Sequence, residues 1–132
     1  MVCHTSNGRG GAAGFTILEL LVVLSIIGTL LSLAAPRYFR SMEKTKEAVL
    51  RENLNTLRST LDRYYADLGV YPASLEELVG KRYLRKIPED PLTGSAATWV
   101  VVAAEDKAQG VVSDIRSGAP GKGHDGVDYR QW

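Results

Sequence analysis

Apolar and polar positions divide the chain into stretches of different period. From Phe15 to Ala35 there is no Lys, Arg, Asp or His, and Glu19 is the one ionisable side chain. About 20 such residues at ~1.5 Å each match the ~30 Å hydrocarbon core of a bilayer, so residues 15–35 are expected to form a transmembrane helix. Charge returns after Pro36. There Leu50, Leu54, Leu57, Leu61, Tyr64 and Leu68 recur at alternating gaps of four and three, which is one apolar stripe along a helix. Lys44, Lys46, Glu47, Arg51, Glu52, Arg58 and Arg63 take the other faces. Residues 36–68 are therefore expected to continue the same helix as an amphipathic half, for a total of about 80 Å. Pro36 lacks a backbone donor, so a kink or melted turn is expected near Leu33 to Pro36. Gly69 follows the stripe and suits a left-handed cap. The stripe also has heptad-like spacing, but fewer than three heptads fit, which favours a face laid on a small sheet over a coiled-coil seam.

Residues 69–132 read as a small head that mixes helix and strand. Pro72 biases Tyr71 toward extended backbone. Ser74 and Glu77 have capping-box spacing, and Gly80 is read as closing a short helix over 74–79. Thr98 to Ala104 is β-branched and aromatic, and Val111 to Ser117 alternates Val111, Ser113 and Ile115 against Val112, Asp114 and Arg116. These predict an antiparallel hairpin over about 98–117, which needs the helix stripe to complete its core because two strands alone are marginal. Tyr64 and Tyr65 are expected as core and rim aromatics. The fold class is α+β: a long N-terminal helix packed on a small antiparallel β-sheet.

Composition narrows the functional classes. With 132 residues there is room for one membrane helix and one small core, not two. A formal net charge of +1 gives no global case for nucleic acid. The basic run Lys81, Arg82, Arg85 and Lys86 is followed at once by Glu89 and Asp90, so a solvated loop or a contact with another subunit suits it better than DNA. Cys3 is the single cysteine, and the histidines are His4 and His124. No nucleophile and base pair can be assembled from these, and Gly121-Lys122-Gly123 lacks the spacing of a phosphate-binding loop, so no enzyme is expected.

Glu19 is the unusual feature of the span. Burying an unpaired carboxylate in lipid costs about 2.5 to 3.5 kcal/mol even on lenient insertion scales. If the bond after Gly14 were cut, Phe15 would gain an α-amine one helical turn from Glu19, and each charge could satisfy the other within one helix or between neighbouring copies. Ser25, Gly28 and Ser32 form a small-residue stripe that lets helices approach closely.

Gly14, Phe15 and Glu19 in this setting, after the leader 1–14, resemble the class III signal of type IV pilins and type II secretion pseudopilins. Asp67 to Pro72, the following short helix, Tyr83 to Pro88 and Asp90-Pro91 are similar to major pseudopilins. The resemblance implies cleavage between Gly14 and Phe15 by a prepilin peptidase, methylation at Phe15, and assembly in which Glu19 meets a neighbour's amine. It implies a single-pass protein of the bacterial inner membrane with its head in the periplasm. There it would be a structural subunit of a secretion pseudopilus, working with copies of itself, the inner-membrane secretion platform and minor pseudopilins to export folded proteins. Many type IV pilins carry a C-terminal disulfide loop, which the cysteine count forbids here.

Three other readings stay open at this point: a type IV pilin serving adhesion, motility or DNA uptake, a membrane-tethered binding module, and a Sec signal peptide. For the last, the run is long and Glu19 ill placed. The resemblance also implies calcium in the C-terminal loop. Asp125 and Asp128 match the family's ligand positions, with Asp114 nearby as a further oxygen donor, but Pro120 stands nearest the place of another aspartate. The alternative is a metal-free loop packed by Tyr129 and Trp132.

Overall fold

The computed structural model describes residues 1–3, 11 and 13–132. His4, Gly8, Arg9 and Gly10, which belong to the expected leader, lie outside the described residues.

Helix α1 spans Ile17–Leu68, 52 residues, and passes through Pro36 without a break. The melted turn expected at Leu33 to Pro36 is absent: proline removes one N–H from the ladder, and the bonds on either side hold the helical path. Gly69 adopts φ 73° and its N–H reaches Tyr65 O at 2.8 Å, the left-handed cap that the stripe ending implies. Helix α2 spans Leu75–Gly80; strands β1, Val100–Ala103, and β2, Val112–Arg116, pair antiparallel. Short 3-10 turns occupy Lys107–Gln109 and Tyr129–Gln131.

The described chain divides into two compact units, Met1–Phe39 and Arg40–Trp132. In the first, the side chains of Ile17 to Phe39 are exposed on every face. Such a helix needs lipid or other helices to cover it. Its hydroxyls are satisfied internally: Ser25 donates to Leu21 O (2.7 Å), Thr29 to Ser25 O (2.8 Å) and Ser32 to Thr29 O (2.7 Å). Back-bonding of this kind lets Ser and Thr sit in hydrocarbon without an unmet donor.

The second unit holds the core. Leu50, Leu54, Leu57, Leu61 and Tyr64 of α1 are buried with Leu75 and Leu78 of α2, Trp99, Val112 and Ile115 of β2, Ala119 and Tyr129. Tyr64 is core and Tyr65 half-buried, stacked on Tyr71 with ring centroids 4.5 Å apart. Leu68, expected as the last residue of the stripe, is instead 47% exposed, because the partners of the stripe end with the preceding turn.

Strand β2 departs from simple alternation. Val102 pairs with Asp114 and Ala103 with Val112, so Ser113 is an extra residue and the ladder bulges there. The bulge puts Val112 and Ile115, three apart, both in the core and leaves Val111 50% exposed, which corrects the Val111, Ser113, Ile115 face. The loop before β2 and the first residue of the strand dock on residues 71–72 through Tyr71 N to Gln109 O (2.6 Å) and Val112 N to Pro72 O (3.0 Å). Gly110, at φ 105°, lies so close to the backbone of Tyr71 that a Cβ would collide with its carbonyl oxygen.

Both ends of α2 differ from the sequence expectation. Ser74 is the N-cap residue, but its hydroxyl makes no capping bond, and Glu77 reaches back to Ala73 N (2.7 Å) instead of closing a box. Gly80 belongs to the helix, and the left-handed position is Arg82, φ 64°. Arg82 N bonds Val79 O (3.1 Å) and Tyr83 N bonds Leu78 O (2.8 Å), the pair of contacts that defines a Schellman ending. Arg82 and, beyond it, Arg85 and Lys86 are exposed, which suits both the solvated loop and the subunit contact expected for this run.

Candidate functional site

The residues expected to carry processing and assembly lie at the start of α1. Gly14 and Phe15 precede the helix in irregular, exposed backbone; Phe15 is 85% exposed, and a Cβ placed at Gly14 would meet nothing within 4 Å. The Gly14 to Phe15 bond is sterically open. Thr16 then begins the helix: its Oγ1 accepts the Glu19 N–H at 3.1 Å and its carbonyl accepts Leu20 N at 3.1 Å. Sequence reasoning passed over Thr16, although Thr16 with Glu19 three residues later has capping-box spacing.

The other half of that box is missing. Among the described residues no hydrogen bond or ion pair involves the Glu19 carboxylate, and the ion pairs are Arg51–Asp125, Arg58–Asp114 and Lys81–Glu77. Its place in the first turn lets the helix dipole favour the negative charge, worth typically 0.3 to 1 kcal/mol at an exposed end. That is less than the cost of carrying a carboxylate into lipid. α1 is long and apolar enough to cross a membrane, and no other helix among the described residues is.

The candidate metal residues do not converge. Asp125 Oδ2 pairs with Arg51 Nη2 at 2.9 Å, and its Oδ1 accepts Val127 N at 3.0 Å. Asp128 caps the turn Tyr129–Gln131, its Oδ1 accepting Arg130 N at 3.0 Å. Asp114 Oδ1 accepts from Arg58 Nε at 2.8 Å and from Ile115 N at 2.8 Å. No group of three His, Cys, Asp or Glu side chains among the described residues could hold a metal ion. A guanidinium already pairs with Asp125 and Pro120 brings no side-chain oxygen, whereas calcium takes six to eight oxygens with carboxylates foremost. The residues present do not fit that ion.

A model of the prokaryotic N-terminal methylation motif matches residues 9–35, which include Gly14, Phe15 and Glu19. A type II secretion system core protein G from Pectobacterium carotovorum subsp. carotovorum is 34% identical over 106 residues, 67% of this chain and 68% of that protein. The chain belongs to the type II secretion system core protein G family. A second core protein G, from Klebsiella michiganensis, is 29% identical across 89% of this chain and 92% of its own length. One from Pseudomonas aeruginosa is 32% identical across 63% and 70%. The core protein G likeness thus reaches well beyond the methylation motif into the head. No solved structure matches.

Proposed function

We propose that this core protein G homologue is a structural subunit of a type II secretion pseudopilus, anchored in the bacterial inner membrane by α1 with its head in the periplasm. A prepilin peptidase removes residues 1–14, and the new Phe15 amine is methylated. Glu19 then pairs with the Phe15 amine of a neighbouring copy as the helices pack into a filament. That filament, fed from the inner-membrane platform and joined by minor pseudopilins, helps export folded proteins. Work is supplied by other components.

The observation that carries the reading is that the Glu19 carboxylate meets no partner among the described residues, on a span whose Ser25, Thr29 and Ser32 hydroxyls bond their own backbone. An acid in that setting is stable in lipid when a cation of another chain, or its own freed terminus, neutralises it. The open backbone at Gly14 and the family's methylation motif support the same step. Mass spectrometry of protein recovered from membranes tests it. A chain that begins at methylated Phe15 is expected; one that retains Met1, or begins near Ala35, overturns the proposal.

A further inference from the structure

The C-terminal loop is gripped by two side chains one turn apart on α1. Glu47 Oε1 accepts both His124 N and Tyr129 Oη, each at 2.9 Å. Four residues on, Arg51 reaches Asp125 Oδ2 at 2.9 Å while its guanidinium carbon lies 4.2 Å from the centre of the Trp132 ring. Trp132 in turn meets Tyr129 edge to face with ring centroids 5.1 Å apart. Trp132 also covers Gly123 so closely that a Cβ there would collide with the indole. The loop is thus closed around a cation, and that cation belongs to the chain.

We propose that Arg51 takes over in this protein the work that a divalent ion would do in the same loop, so that the head folds and stays folded without calcium. A calcium ion drawn to Asp125 would have to displace a guanidinium already in contact with that carboxylate, or sit beside it against like charge. With Asp125 and Asp128 each using an oxygen on the protein's own donors, and Pro120 offering no side-chain oxygen, no set of three acidic side chains among the described residues is left to draw a hard cation into the loop. Arginine suits the place for a second reason. Its planar face stacks on the indole while its edge meets the carboxylate, which neither calcium nor lysine can do together. The ion pair alone is weak, because the two side chains are 58% and 41% exposed, so the stack and the closed loop carry much of the effect.

The test uses the full chain in detergent micelles, with thermal unfolding followed by tryptophan fluorescence; Trp99 and Trp132 are its two indoles. The wild type should melt at the same temperature, to about 1 °C, in millimolar calcium chloride and in excess chelator. Arg51→Gln should lower Tm by about 3 °C or more, and Arg51→Lys should recover only part of that loss. Asp125→Asn should cost less than Arg51→Gln, since the stack on Trp132 survives. Calcium raising the wild-type Tm, or chelator lowering it, by several degrees overturns the proposal. So does an Arg51→Gln chain that melts like the wild type. The wild-type titration decides the calcium question even if a variant fails to fold.

Discussion

The Tyr64 hydroxyl donates to Glu77 Oε1 at 2.7 Å, and this bond ties the buried end of the α1 stripe to α2. Lys81 Nζ adds contacts at 2.8 Å to Glu77 and 2.7 Å to the Tyr64 oxygen, and Ala73 N donates to the other carboxylate oxygen. The bonds from Lys81, then Tyr64, then Ala73 hold the Glu77 carboxyl down at about 2 instead of 4.5. A carboxylate with a depressed pKa stabilises the fold fully above its unfolded pKa, and the contribution is lost as pH falls through the folded one. Unfolding should therefore show a loss of stability between about pH 4.5 and 2 that is much reduced in Glu77→Gln. Added salt should shrink the difference, because the Lys81 side chain is 49% exposed. Equal pH profiles for the two proteins would refute this assignment.

Arg82 occupies a backbone conformation that glycine takes without cost. A non-glycine residue at φ 64° carries roughly 1 to 2 kcal/mol of strain, while glycine adds about 0.5 to 1 kcal/mol of unfolded-state entropy. Arg82→Gly should leave the two Schellman bonds in place and stabilise the head by on the order of 0.5 to 1 kcal/mol, or a few degrees in Tm. A fall in Tm would mean that the arginine side chain contributes a contact outweighing the strain.

Asp90 is fully buried, and its carboxylate is met by Ser117 Oγ at 2.6 Å and Leu92 N at 2.8 Å. The same serine oxygen accepts Ala119 N at 3.1 Å, so one hydroxyl serves both sides of the C-terminal segment. Ser117→Ala removes both contacts and leaves a buried carboxylate oxygen unmet, which should cost about 1 to 3 kcal/mol. Urea unfolding read by tryptophan fluorescence reports on this region, since Trp99 Nε1 donates to Pro88 O two residues before Asp90. A midpoint unchanged from wild type would show that water replaces the serine without loss.

What could be read from the sequence divides by range and by the strength of the pattern. The long helix was legible twice over, as a charge-poor run and as the stripe from Leu50 to Tyr64, and Gly69 marked its end. The hairpin was legible too, but the bulge at Ser113 was not, because a single inserted residue leaves the β-branched composition unchanged. At α2 the capping residues were placed by spacing alone. Glu77 has a stronger set of partners in Tyr64 and Lys81 than in the Ser74 backbone, and tertiary contact overrode the local signal. Arg51 and Asp125 are separated by 74 positions, so nothing local announces their pairing. The residues proposed for processing and assembly are the reverse case: Gly14, Phe15 and Glu19 stand out as a motif, yet Glu19 meets no partner among the described residues.

That missing partner leads to the last expectation, which concerns Glu19 itself. If the carboxylate only assisted the helix start, Thr16 would still cap the first turn without it, and substitution would change little. If it neutralises an amine on a neighbouring copy, removing it leaves a cation unpaired between apolar helices, a loss of several kcal/mol per subunit contact. Glu19→Ala and Glu19→Gln should then insert in the membrane like the wild type, since neither adds charge to the span. Both should give at least about tenfold less sheared filament, for which ~1.4 kcal/mol is sufficient. Glu19→Asp should fall between these two and the wild type, keeping the charge on a shorter arm. Comparing membrane-inserted with sheared protein across the four chains separates the two roles: equal filament yield would reduce Glu19 to a helix-start residue, and poor insertion of the neutral variants would assign it to membrane entry.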